Sequence, residues 1–374
     1  MKFVCTQENL SQGLSVVSHI TGKSINLPVL ANVLLKTEGG NLKLSATNLE
    51  LSVSTLVRGK MEIEGEYTVP AKLFMDYINL LPQGKVELEL IEEGLRVTTA
   101  TGQETVIRGM SGQEFPLIPK LAKSEGISLN AQDLKQAITQ VAFAVSTSES
   151  RPELAGVACY FGGGSATFVA TDSYRLSERT LAISKGALEA QMIVPSRTMM
   201  ELSRILSSYK DELGVPEDVE WVQTENQLIM SYGNTELISR LVEGSFPDYQ
   251  QIIPNQFGVQ MVLDRSDLTK AVKTASLFSR QGLYDVHLRV ISAEGKLHVH
   301  SADQGTGKTA SMLPGTVEGG DSDLVVNFKY LTDGLSAIRT NTVRLMMNDA
   351  MSPMLVLPEG GDEKYRYLVM PIRQ

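Results

Sequence analysis

An α+β fold built from three repeated modules, each with two helices packed on antiparallel sheets, is what this 374-residue sequence predicts. Three observations carry that expectation. The chain is too long for one hydrophobic core, and its 42% hydrophobic and 21% charged residues are those of an ordinary globular protein. Most of the text is short alternating runs bounded by Gly, Asn and Pro, the mark of antiparallel strands. Above all, three landmarks recur in the same order three times, and such repetition decides a fold before any single element does.

The first landmark is an alternating run, a polar cap and a helical run: Phe3 to Leu10, Ile127 to Leu134 and Met261 to Leu268, with Leu10, Leu134 and Leu268 lying 124 and 134 residues apart. The second opens as a strand, turns, and continues with helical spacing: Val69-Pro70-Ala71-Lys72, Val194-Pro195-Ser196-Arg197 and Val326-Asn327-Phe328-Lys329. The third closes each unit: Glu104 to Met110 before Phe115-Pro116, Thr235 to Leu241 before Phe246-Pro247, and Lys364 to Pro371. Helical spacing covers residues 7–23, 71–81, 132–144, 196–210, 265–280 and 328–339, and about eight strands fill each unit. Modules are expected at 1–122, 127–254 and 258–374, with linkers near 120–126 and 254–258.

Composition excludes several classes. No apolar run approaches the roughly 20 residues of a bilayer span, and the alternating start has no signal-peptide core, so a cytoplasmic location is expected. Two cysteines build neither a disulfide framework nor a structural zinc site. The net charge of −9 argues against a simple basic DNA-binding module, but distribution matters more than the sum. The six helical windows together carry +6, which leaves −15 for the strands and loops. Helices host Lys and Arg well in any case; the sharper reading is that the helices face a polyanion, which scattered cations attract without reading bases.

No catalytic constellation emerges, and no cofactor or metal is expected. Ala302 to Thr309 approximates a phosphate-binding loop, but its first position is Ala and no helix should follow. Ser207-Ser208-Tyr209-Lys210 matches S-x-x-K without the companion motifs. His298 and His300 share a strand face with no carboxylate or cysteine nearby and read as solvated. Cys5 and Cys159 read as inert core thiols.

Further segments carry a family resemblance: Met1-Lys2-Phe3, Leu27-Pro28-Val29-Leu30, Ala170-Thr171-Asp172-Ser173-Tyr174-Arg175-Leu176, Phe246-Pro247-Asp248-Tyr249 and Val369-Met370-Pro371-Ile372-Arg373. Over essentially its whole length the chain resembles the bacterial sliding clamps, the beta subunits of DNA polymerase III. The resemblance implies the DNA clamp fold and a head-to-tail homodimer closed into a ring. It implies a function of encircling duplex DNA and tethering the replicative polymerase, with clamp loader and other DNA-processing proteins docking through short linear peptides. It implies a peptide pocket walled by Leu154, Thr171, Ser173, Tyr174, Arg175, Leu176, Pro247, Ile252, Tyr330, Met351, Pro353, Leu368, Val369, Met370, Pro371 and Ile372. DNA-facing candidates are Lys23, Ser24, Lys72, Arg151, Arg197, Arg204, Lys270 and Lys273. The dimer seam is placed at Thr105 and Ile107 on an edge strand and at Leu277 and Phe278 on a third-module helix.

The sequence departs from the family pattern at Tyr174, Gln251, Pro353 and the Arg373-Gln374 end, which bears on peptide preference. Two other classes stay open at this point: a peptide-binding scaffold that never encircles DNA, and a nucleotide-binding enzyme resting on Ala302 to Thr309.

Overall fold

The computed structural model describes residues 1–22, 26–119, 126–148, 150–209, 216–361 and 364–373. Their contacts gather into two compact units. One comprises residues 1–132, 183–188 and 201–241, the other residues 133–182, 189–200 and 242–374.

Six α-helices lie among the described residues, two per repeat: α1 (Gln7–Val17), α2 (Ala71–Leu80), α3 (Ala131–Val141), α4 (Ser196–Ser208), α5 (Arg265–Ser276) and α6 (Phe328–Ala337). The first helix of every repeat starts on the same device, a side-chain oxygen that accepts from a first-turn N–H. Thr6 Oγ1 accepts from Asn9 N at 3.2 Å, Asn130 Oδ1 from Gln132 N at 3.0 Å, and Asp264 Oδ1 from Asp267 N at 2.9 Å. All six end short of their expected C-termini. After α3 the chain tightens into a 3₁₀ turn at Ala142–Ala144, and Pro82 forbids continuation of α2.

The strands form four antiparallel sheets, of five and nine strands in the first unit and nine and four in the second. Each nine-stranded sheet crosses a boundary between repeats. In the first unit Leu51–Val57 pairs with Thr235–Arg240, setting Val53 opposite Leu237. In the second, Arg175–Ala182 pairs with Tyr365–Val369, setting Ser177 opposite Tyr367. The compact units therefore gather strands by sheet and not by repeat. Glu104–Ile107 is the terminal strand of the five-stranded sheet, and Gly307–Pro314 that of the four-stranded sheet.

Helix burial follows the sequence periodicity. In α5 the buried positions Leu268, Ala271, Val272 and Ala275 fall on one stripe. They pack in one cluster with Val286, Leu288, Leu297 and Val299 of the four-stranded sheet. In α6 the stripe contains Gly334, because a Cβ there would lie 2.1 Å from the ring of Tyr367, whose hydroxyl donates to Tyr330 O at 2.7 Å. Gly334→Ala is expected to destabilise the protein by about 2 kcal/mol through overpacking, read as a lower thermal midpoint with an unchanged dichroism spectrum. No helix among the described residues is long and apolar enough to cross a membrane.

Candidate functional site

The second unit brings several of the expected pocket residues together around one sharp turn. Thr171 Oγ1 donates to Arg175 O at 2.6 Å and accepts from Ser173 N at 3.1 Å. Asp172 Oδ1 accepts from Tyr174 N (2.9 Å) and Arg175 N (3.0 Å), which holds Ser173 in the left-handed region at φ +79°. The C-terminal segment lies against this turn: Met370 N donates to Tyr174 O at 2.8 Å, and Arg175 pairs with Val369 in the sheet. Leu154, Leu176 and Leu368 share a buried cluster with Phe246, Tyr249 and Leu355. Tyr174 (62% exposed), Ile252 (47%) and Met351 (57%) remain as exposed apolar surface, and Pro247 is exposed beside buried Phe246. Such apolar floors with a few polar anchors suit short peptides.

Arg175 organises the polar side. Its side chain is only 11% exposed and bonds Asp172 (3.0 Å), Asp333 (2.5 Å) and the carbonyl of Phe143 (3.0 Å). The guanidinium lies 4.7 Å from the Tyr330 ring centroid, and Tyr330 stacks on Tyr174 at 6.4 Å. Burial opposes its charge, but the bond to Asp333 and the neighbouring Asp172 outweigh that, and its pKa is raised. Asp333, Phe143, Phe246 and Tyr249 escaped the sequence reading. Phe246 and Tyr249 stood in the quoted F-P-D-Y segment, whereas no local signal marks Asp333 or Phe143 as a partner of Arg175.

The repeat supplies an internal control for this pocket. At the junction in the first unit the same turn recurs: Thr47 Oγ1 donates to Leu51 O (3.1 Å), Asn48 Oδ1 accepts from Glu50 N and Leu51 N (3.0 and 2.8 Å), and Leu49 sits at φ +78°. Arg240 N reaches Glu50 O at 2.9 Å, as Met370 N reaches Tyr174 O. The backbone is the same, but the side chains are not. Where the second unit places Ala158, Tyr160, Val169 and Leu176, the first places Leu34, Lys36, Ser45 and Ser52. Lys36 pairs with Glu66 at 2.7 Å and Ser45 bonds Ser54 at 2.8 Å, so that junction has a polar floor.

The basic candidates divide. Lys72 and Arg197 are exposed at the second residue of α2 and α4, and the repeat adds exposed Lys329 at the same place in α6, with Nζ 3.5 Å from the Tyr284 ring centroid. Lys270 and Lys273 are exposed on α5, Lys270 3.5 Å from Asp267. Arg204 is corrected: its guanidinium donates to Ser15 O (2.8 Å) and Val16 O (2.5 Å) at the end of α1 and pairs with Glu201, so it is a cap and not a free cation. Arg151 is exposed and bonds Glu153 (3.0 Å) and Ser173 Oγ (3.1 Å) at the pocket turn. Lys23 and Ser24 lie outside the described residues.

At the expected seam, Thr105 is half-buried, while Ile107 is 4% exposed and belongs to the core of its own sheet. Leu277 caps the C-terminus of α5 and Phe278 follows it, so neither is inside the helix as expected. Leu277 is 72% exposed.

The other motifs resolve into structure. Ala302 to Thr309 is a hairpin between Lys296–Asp303 and Gly307–Pro314, with Asp303 Oδ1 accepting from Gly305 N (2.8 Å) and Thr306 N (3.1 Å) and no helix behind it. Ser207 and Ser208 donate back to Ser203 O and Ile205 O within α4. Cys5 and Cys159 are buried, and desolvation pushes the Cys5 thiol up to about 12 and Cys159 higher still. No group of three or more His, Cys, Asp or Glu set to hold a metal occurs among the described residues.

Comparison with known proteins agrees with this geometry. Models of the N-terminal, central and C-terminal domains of the DNA polymerase III beta subunit match residues 1–119, 128–248 and 250–373. A beta sliding clamp from Synechocystis is 31% identical, covering 100% of this chain and 99% of the relative. A DNA polymerase sliding clamp from Pseudomonas aeruginosa, solved with a ligand, superposes with a TM-score of 0.92 at 28% identity over 100% of both chains. A second P. aeruginosa clamp structure, bound to griselimycin, gives the same score and identity over 100% of both chains.

Proposed function

Because the chain belongs to the DNA polymerase III beta subunit family, the bacterial sliding clamps, we propose that two copies close head to tail around duplex DNA and tether polymerase through the pocket of the second unit. The protein is a processivity factor and not an enzyme.

The observation that carries ring closure is the strand count. Each nine-stranded sheet joins two successive repeats, and the remaining sheets have five and four strands. By repeat position, Glu104–Ile107 corresponds to Thr235–Arg240 and Tyr365–Val369, while Gly307–Pro314 corresponds to Leu51–Val57 and Arg175–Ala182. Two open edges of that kind on one chain are complementary to those on another, and their pairing completes a third nine-stranded sheet across each seam. A heterologous contact that closes after two copies gives a ring.

Enclosure makes retention topological, so phosphate contacts can stay weak and sequence-independent. Lys72, Arg197, Lys329, Lys270 and Lys273 on the helices supply them, while the acidic strands and loops discourage binding elsewhere. Tethering raises the local concentration of polymerase at the primer end. Clamp loader and other DNA-processing proteins dock as short peptides on the apolar floor of Leu154, Leu176 and Leu368, with exposed Tyr174, Ile252 and Met351 at its rim. On this reading the protein works where bacterial DNA is replicated, in the cytoplasm.

The test is release by linearisation. After loading onto nicked circular DNA, the protein should co-elute with the circle and be lost when one restriction cut opens it, at a salt concentration that leaves the circle-bound form intact. Equal release from cut and uncut circles would falsify encirclement and favour a scaffold that binds peptides alone.

A further inference from the structure

The chain has four histidines, and three of them form one stack. His287 and His300 are cross-strand partners with ring centroids 4.6 Å apart and planes 25° apart. His298 and His300, two residues apart on one strand, lie 4.5 Å and 19° apart. All three are half-buried, and Nδ1 of the central His300 is buried with no hydrogen-bond partner. The expectation of solvated strand histidines therefore fails, because the cross-strand partner His287 is invisible until the register is known.

The position of the stack gives it consequence. It sits on the face of the four-stranded sheet opposite the core, where strand order runs from Ser322–Asn327 through Asp285–Ile291 and Lys296–Asp303 to the edge strand Gly307–Pro314. In one cross-strand row stand Val325, His287, His300 and Ala310. At one end of that row the backbone of Val325 accepts from Ile372 N at 2.7 Å, so the C-terminal segment of the peptide pocket is tied there. At the other end Ala310 lies on the strand assigned above to ring closure. The charged groups on this face are Arg289, opposite His298 on one side and Asp323 on the other; Lys296 on the histidine strand, paired with Glu294 at 3.0 Å; Lys308 on the edge strand; and buried Asp285, which shares the alternation of His287 and pairs with Arg280. Asp323 alone favours a proton on His300, while Arg289 and the two neighbouring imidazoles oppose it.

We propose that this imidazole stack is an acid-sensitive latch on ring closure: protonation forces like charges together at ring-stacking distance, parts the His287 strand from the strand of His298 and His300, and so loosens the edge strand that the latter carries toward the partner chain. This rests on the head-to-tail reading above. Burial, then His287 and His298, hold the His300 pKa below its ordinary value. The sign follows from that direction. The neutral stack is fully stabilising above the ordinary histidine value of about 6.5, and its contribution falls as pH drops below that value toward the lower folded one, because the loosened state binds the proton more readily.

The experiment is dimer dissociation by sedimentation or native mass spectrometry at pH 7.5 and 5.5, on the full chain and on His300→Gln and His298→Gln. The expected result is a dissociation constant several-fold weaker for the unaltered chain at pH 5.5, within the roughly tenfold ceiling for one site whose ordinary value lies about one unit above that pH, with the dependence reduced to about twofold or less in His300→Gln. His298→Gln, which leaves the central ring in place, should give an intermediate change and serves if the first variant folds poorly. A dimer at pH 7.5 whose affinity does not change with pH, or changes equally in the variants, overturns the latch. Absence of any dimer at pH 7.5 instead overturns the head-to-tail reading, which keeps the two failures apart.

Discussion

Leu277→Asp is expected to convert the dimer to monomer, weakening self-association by at least about 30-fold, with the thermal midpoint of the chain almost unchanged. The magnitude is that of a buried apolar anchor lost from an interface, about 2 kcal/mol or more. Stability should be spared because Leu277 is 72% exposed within its own chain and caps α5 through its backbone, Leu277 N donating to Thr274 O and Ala275 O. Ile107→Asp is the contrasting variant: its side chain is 4% exposed, so the five-stranded sheet itself should be destabilised. The repeat also fixes the register of the seam. Val53 opposes Leu237 in the first unit; traced through the ladders, the corresponding residues are Thr309 and Thr105, which puts Thr309 opposite Thr105 in the partner chain. A Thr105→Cys/Thr309→Cys variant should cross-link into a covalent dimer on mild oxidation, since directly opposed antiparallel residues fall within disulfide reach. A covalent dimer from a pair offset by two residues, and none from this one, would refute the register.

Arg175→Ala should lower stability by about 3 kcal/mol and abolish measurable peptide binding, because Asp172, Asp333, the Phe143 carbonyl and the Tyr330 ring lose their partner at once. Removing one member of a buried ion pair leaves the other uncompensated: Asp172 is 15% exposed, and the Phe143 carbonyl and the Tyr330 ring face also lose the guanidinium. Arg175→Lys should rescue little, because an ammonium cannot serve two carboxylates and a carbonyl in the planar fork that the site uses. Titration with a Leu/Phe-bearing peptide, alongside thermal denaturation, separates two outcomes. Loss of both is expected. Retained affinity in a destabilised chain would place Arg175 outside the pocket's working structure.

The repeats were legible because each landmark joins an alternating strand to a capped helix, and both periods are local properties of the chain. Thr6, Asn130 and Asp264 announce the helix starts; the ends were overestimated because fraying and 3₁₀ tightening, as at Ala142–Ala144, leave no local mark. The pocket was legible only through resemblance. Leu154, Leu176 and Leu368 are brought into one cluster by pairing of strands nearly two hundred residues apart, and periodicity carries no information about that pairing. The partners of two arginines were hidden for the same reason. Arg204 and Arg151 look like any surface arginine until the α1 carbonyls and the Ser173 hydroxyl arrive beside them. Lys329 was missed although its equivalence to Lys72 and Arg197 was present in the second landmark.

The two terminal strands, one ending the five-stranded sheet and one ending the four-stranded sheet, have a consequence for errors of assembly. In the proposed ring their mating alone would not limit the number of subunits; the bend that each chain contributes would do so. A substitution that flattens that bend would leave every contact intact and yet produce an open fibre, which lengthens with protein concentration. Annular and fibrous outcomes would then differ by curvature alone, and light scattering would distinguish them where affinity measurements could not.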